Sequence, residues 1–323
     1  MSEKKDMQYN FDMILPRLID SFDYLDTEKA NHILKSIEKS CICIGTGGSN
    51  AVSLFASSVL SEANKIITIS KEPRDVLFMD LFHCWNYLLG ITYGNNNYGI
   101  DEAEKYASDS KLETHLITAN SSYENDICYK GTIPNEYSFI SLASTITPMT
   151  ILLNYYLNHS KEMTIELIKQ LFGQASEKYF DFEINNDFPL IEIMSGDNTY
   201  VASKILESTI TEAGLGIPVI HEKYSYCHGR STLSHSHHQS NLIYLINGEC
   251  TNLDRKLINE LNGMYQNIIV LNSSSNDKII GEFDLSLQSL FLCKSIAEKE
   301  QKDLSMVEYA SVVKKLYRYN GGM

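Results

Sequence analysis

The chain has 323 residues, 43% hydrophobic and 21% charged, with 27 Lys and Arg against 41 Asp and Glu for a net charge of -14. That length supports two cores of ordinary size, and the composition excludes a disordered chain. The acidic balance, without a dense Lys/Arg cluster, excludes sequence-independent binding to a nucleic-acid backbone and leaves a small molecule as the expected partner.

The opening residues, MSEKKDMQYNFDMI, hold no apolar stretch with a small-residue exit. No uncharged apolar run approaches the ~18 residues of a membrane helix, so a soluble, cytoplasmic protein without membrane contact is expected. Seven cysteines, an odd number, with Cys41 and Cys43 alternating in an apolar strand, read as thiols of a reducing compartment.

From Phe11 to about Ser40, apolar residues recur at three- and four-residue spacing (Phe11, Ile14, Leu15, Leu18, Ile19, Phe22, Leu25) and predict an amphipathic N-terminal arm. CICIG then reads as a strand, TGGSN as a turn and AVSLFASSVLSEA as a buried helix. The alternation continues with the strand KIITIS, a helix opened by Pro73, the strand NYLLGITYG, the helix GIDEAEKYASD and the strand THLITAN. Apolar strands alternating with helices predict parallel pairing with helices on both faces, a doubly wound sheet. Two further helices, TITPMTILLNYYLNHS and EMTIELIKQLFGQASEKYF, close this unit.

The polar segment DFEINNDF breaks the periodicity and places a junction around residues 180 to 188, dividing the chain into 1–183 and 184–323. PLIEIMSGDNTYVASKILESTITEA then repeats the order of strand, turn and helix, with LIYLINGE and NIIVLNSS as later strands around the helix TNLDRKLINELNGM. Two such α/β units are expected to hold a ligand between them, at the carboxyl ends of strands.

Gly47, Gly48 and Ser49 stand where a strand hands over to a helix, so backbone N–H groups can approach an anion there. A tight βα turn without a ligand is the alternative. A dinucleotide fingerprint would need glycine where Asn50 stands, and the Walker pattern is absent. The run Ser234, His235, Ser236, His237, His238 has no suitably spaced carboxylate or cysteine beside it, so no metal and no cofactor is expected.

The segment SGDNTYVASKILESTITEAGLGIPVIHEKYSYCHGR resembles the sugar isomerase (SIS) family, in particular the isomerase half of glucosamine-6-phosphate synthase. There a helix glutamate and the histidine of an HGP motif stand sixteen residues apart, as Glu212 and His228 do here. The resemblance implies a homodimer of two doubly wound SIS-type domains binding a sugar or sugar phosphate. It also implies that Glu212 moves a proton between neighbouring carbons and that His228 assists ring opening. Arg230 replaces the proline of HGP and brings a guanidinium able to grip an anion, or to pair with surface acids.

The family's phosphate loop, rich in Ser and Thr, corresponds to Thr92-Tyr93-Gly94-Asn95-Asn96-Asn97. Thr92 and Asn95 are the expected contacts there, with an ordinary polar loop as the alternative. The tail KDLSMVEYASVVKKLYRYN resembles the segment that closes over SIS sites, with Lys314 or Lys315 as its lysine. The resemblance implies aldose/ketose isomerisation, deamination or deglycation by metal-independent acid/base chemistry, without amidotransferase activity. The alternative is a non-catalytic sugar-phosphate-binding regulator.

Overall fold

The computed structural model describes residues 6–80, 84–94, 98–119, 126–134, 136, 138, 140–178, 180, 189–196, 198–236 and 240–305. The expected N-terminal arm is three helices rather than one: α1 (Met7–Asp12), α2 (Ile14–Tyr24) and α3 (Thr27–Ser36). Asp26 ends the run, because its side chain accepts from Lys29 N at 3.0 Å and caps a new helix. Phe11, Ile14, Leu18 and Phe22 are all buried, as their spacing predicts.

The first unit follows as β1 (Cys41–Ile44), α4 (Gly48–Asn64), β2 (Thr68–Lys71), a 3₁₀ turn (Pro73–Phe78), β3 (Tyr87–Thr92), α5 (Tyr98–Asp109), β4 (Glu113–Thr118) and β5 (Ile127–Cys128). Its strands are all parallel, in the order β2-β1-β3-β4-β5. The helix predicted after Pro73 is the 3₁₀ turn. Only Pro73 and Val76 are buried in it, the three-residue repeat of 3₁₀ rather than α geometry, while Phe78 is exposed. The buried α6 (Ala143–Leu157) and α7 (Lys161–Ser176) complete the unit.

The second unit comprises β6 (Leu190–Ser195), α8 (Tyr200–Glu212), β7 (Ile217–Glu222), α9 (Ser231–Ser236), β8 (Asn241–Asn247), α10 (Asn252–Leu261), β9 (Asn267–Ser273) and α11 (Lys278–Lys299). Its parallel strands run β7-β6-β8-β9. β7 and the long α11 fall outside the sequence expectations. In β7 the edge position leaves Ile217 exposed and Pro218 and Val219 only partly covered, so the burial pattern of a central strand is missing. Most of the junction marked by DFEINNDF lies outside the described residues.

One apolar cluster joins α2, α4, α6, α8 and α11 to the inner faces of both sheets, and smaller clusters lie under α5 and α10 on the outer faces. The chain is thus two parallel sheets sharing a helical middle layer. Cys41, Cys43 and Cys293 are buried in that shared core, and all seven cysteines are free. Among the described residues, no helix is long and apolar enough to cross a membrane.

Candidate active site

In the first sheet the chain reverses its winding between β1 and β3, so the turns leaving those strands flank a crevice. The turn after β1 runs into α4 through Gly47, whose φ of 59° is a left-handed conformation that other residues enter at a cost. Asn50 N–H donates to Gly47 O at 2.9 Å, and no side chain caps the start of α4. A Cβ added to Gly48 would stand 2.7 Å from both Cβ and Oγ of Ser141, so only glycine lets α4 start this close to α6.

Against this turn lies the end of α8. Glu212 is half-buried, accepts from Ser208 Oγ at 2.8 Å, and places Oε1 3.9 Å from where a Gly47 Cβ would be. The cleft around it holds about 240 Å³ of space that includes open solvent, and Gly48, Ser141, Thr145, Ser208 and Thr209 line it with Glu212. Burial raises the Glu212 pKa above the ordinary carboxylate value; the Ser208 hydrogen bond opposes this and Glu207 adds to it. The carboxylate also sits at the negative end of α8 and faces the positive end of α4. It therefore binds a proton more readily than a solvated glutamate, beside a helix start that favours an anion.

Gly47, Gly48 and Glu212 are thus brought together from two halves of the chain. Ser49 is half-buried on the first turn of α4. Thr92 ends β3, the strand next to β1, so the two turns expected to share an anion do leave adjacent strands. Thr92 Oγ1, however, donates to Gly94 O at 2.9 Å and is spent inside its own turn. Asn95 and Lys314 lie outside the described residues.

His228 and Glu212 do not meet within the chain. α8 returns from the carboxyl edge of the second sheet to its amino edge, where Glu212 ends it, and β7 then carries the chain back. Six residues of strand rise about 20 Å, so sixteen-residue spacing puts the two side chains at opposite edges. The second sheet accordingly presents the end of a helix at the cleft, not the carboxyl ends of strands. His228 is exposed in an irregular turn, Tyr226–Arg230, in which Gly229 has a φ of 100°. Arg230 is also exposed, with one long contact of 3.5 Å from Nη1 to Ile220 O. His235 is exposed on α9, while His237 and His238 lie outside the described residues. No group of three His, Cys, Asp or Glu side chains able to hold a metal ion occurs among the described residues.

Sequence reasoning missed the other wall of the cleft, Ser141 and Thr145, and the group that holds it. Glu136 accepts N–H groups of Leu142, Ala143 and Ser144 and the Ser144 hydroxyl, closing the start of α6. The signal was present as the hydroxyl-rich run SLAST running into ITPMT. Asn50, read only as a missing glycine, donates from Nδ2 to Glu72 Oε1 at 2.9 Å and to Gly45 O at 3.4 Å, fastening the turn to the chain beyond β2.

No family model matches the sequence. Among curated proteins, "Probable polyketide synthase 28" of Dictyostelium discoideum is 27% identical over 146 residues, 43% of this chain, and the chain spans 5% of that protein's length. Solved structures match far more of it. Tagatose-6-phosphate ketose/aldose isomerase from Escherichia coli is similar with a TM-score of 0.69 at 14% identity, over 94% of this chain and 96% of that one. Glucosamine-6-phosphate deaminase from Thermotoga maritima gives 0.65 at 15% identity, over 90% and 96%. The C-terminal domain of glucosamine-fructose-6-phosphate aminotransferase from Francisella tularensis gives 0.65 at 10% identity, over 94% and 98%. At such identities the likeness is one of fold: the chain shares with these proteins the SIS-type fold of two parallel-sheet α/β units.

Proposed function

We propose that this chain is an acid/base enzyme acting on a phosphosugar or similar anionic sugar, by aldose/ketose isomerisation or by deamination or deglycation. The observation that carries this reading is the Glu212 carboxylate, half-buried and proton-seeking, set over Gly47 and facing the uncapped start of α4. A carboxylate at that point can take a proton from one sugar carbon and return it to the next from the same face. The anionic end of the sugar then rests against the N–H groups of α4 and the turns after β1 and β3. Three similar structures carry names that refer to sugar phosphates.

The reaction needs no metal in this reading, and the unpaired thiols suit the reducing cytoplasm. The protein acts as a homodimer: His228, exposed on the far edge of the second sheet, serves a cleft of a second copy rather than its own. Light scattering that finds a monomer at micromolar concentration refutes the dimer.

The test is solvent deuterium exchange into C1 or C2 of sugar phosphates chosen by a thermal-shift screen. Wild type exchanges, and Glu212→Gln keeps binding while kcat falls on the order of 10³-fold. A second reading, a non-catalytic sugar-phosphate sensor, is favoured by the exposure of His228 and the Thr92 hydroxyl spent on Gly94. A sensor binds the sugar without exchange, and Glu212→Gln then differs from wild type only in affinity.

A further inference from the structure

We propose that Glu192 is the positioning residue for the exposed turn carrying His228 and Arg230, a role that rests on the reading of His228 as an acid/base group. Glu192 lies within β6, between β7 and β8, and is fully buried. A carboxylate in the middle of a sheet persists only where donors surround it. Here Oε2 is 2.8 Å from His221 Nε2, 2.6 Å from Ser234 Oγ and 3.0 Å from the Tyr265 hydroxyl, while Oε1 accepts from Ser240 Oγ at 3.0 Å.

Three of these four donors belong to the chain between β7 and β8 or its immediate ends. Tyr226 joins them indirectly. Its hydroxyl donates to Ser234 Oγ at 2.7 Å and lies 2.8 Å from the Tyr265 hydroxyl, and its ring meets His221 edge-on with centroids 5.4 Å apart. The connection is therefore fastened at 221, 226, 234 and 240 to one carboxylate, and residues 227 to 230 stand exposed between the fastenings. Burial alone pushes the Glu192 carboxyl up, yet the bonds from His221, Ser234, Ser240 and Tyr265 hold it below the ordinary value.

Among the described residues, no lysine or arginine is bonded to the cluster. His221 Nδ1 is buried without a hydrogen-bond partner, so Nε2, 2.8 Å from Oε2, is the ring atom that ties His221 to the cluster. Because four side chains converge on one carboxylate, its hold on the connection depends on all of them at once. Losing the charge releases them together.

Hydrogen–deuterium exchange by mass spectrometry on the full-length chain tests the fastening without any substrate. Glu192→Gln accelerates amide exchange in residues 223 to 236 by roughly tenfold or more, with β8, β9 and α11 within about twofold of wild type. Acceleration spread evenly over the second sheet, or none in 223 to 236, overturns the proposal. Ser234→Ala removes one fastening and leaves the carboxylate in place, so it serves where Glu192→Gln does not fold; the same local pattern at smaller amplitude is expected.

Kinetics on a sugar phosphate that wild type turns over supplies the second readout. Glu192→Gln lowers kcat with KM kept within about threefold, and the double variant with His228→Asn is no slower than His228→Asn alone. Additive losses overturn the positioning role. If wild type turns over no sugar phosphate, the enzyme reading fails and the positioning role falls with it. The exchange result then still decides whether Glu192 fastens the turn.

Discussion

Replacing Glu282 with glutamine should make the protein more stable at neutral and alkaline pH. Glu282 lies at the start of the second turn of α11, 2% exposed, with Oε1 accepting Val201 N–H at 3.1 Å near the start of α8. Burial pushes its pKa from 4.5 to about 8, and the Val201 N–H pulls the other way. A carboxyl raised in the folded state supports folding fully below its unfolded pKa, and that support is lost as pH rises through the folded pKa. The window here is about pH 4.5 to 8. Keeping this group costs folding about 3 kcal/mol at pH 7 and about 5 kcal/mol above pH 9.

Glutamine keeps the acceptor for Val201 and has no proton to lose. With about 2.1 cal/mol/K of unfolding entropy per residue, 3 kcal/mol raises Tm by about 4 °C at pH 7. The assay is thermal and denaturant unfolding of both proteins from pH 4 to 9. The difference between them should be near zero at pH 4 and widen steadily to pH 8. Parallel curves, or a variant less stable than wild type at pH 8, refute the reasoning. The cap also bears on the proposed site, because α8 starts at it and ends at Glu212.

Gly48→Ala should weaken sugar-phosphate binding by at least about tenfold and cost about 1–3 kcal/mol, since its Cβ meets Ser141 at 2.7 Å. Gly173→Ala, on α7 with no atom within 4 Å of the new Cβ, should instead stabilise by about 1 kcal/mol; thermal shift with and without ligand separates the two. Ser49→Ala combined with Thr92→Ala should lower sugar-phosphate affinity roughly tenfold, Thr92 by loosening the turn its hydroxyl holds through Gly94 O, and unchanged binding by calorimetry would take both hydroxyls out of the site. Lys223→Met should cost about 3–5 kcal/mol in denaturant unfolding, because it takes the cation, held at 3.0 Å, from Asp254, which is 1% exposed and keeps only the neutral donors of Tyr244 and Thr251.

The sequence by itself determined the fold class. Apolar runs such as CICI and LLGIT, separated by amphipathic helices, can be covered only by parallel pairing with helices on both faces, and that is a local signal. It also marked Gly47 and Gly48, because a glycine turn is visible in a short window, while Glu212 was marked only through its spacing to His228 and the SIS resemblance. What it could not supply is which of these meet. Spacing along the chain paired Glu212 with His228, and α8 and β7, running in opposite directions, put the two at opposite edges of the second sheet within one copy. Glu192 looked like one charge in an apolar strand, and Ser141 like one hydroxyl among many. Their partners lie 29 to 73 residues away for Glu192 and across a helix contact for Ser141, so only the packing of α4 against α6 and of the β7–β8 connection against β6 decides what they do. Secondary structure is written in neighbours three or four residues apart, but a site is written in distances that exist only after the two sheets have closed on their shared helical layer.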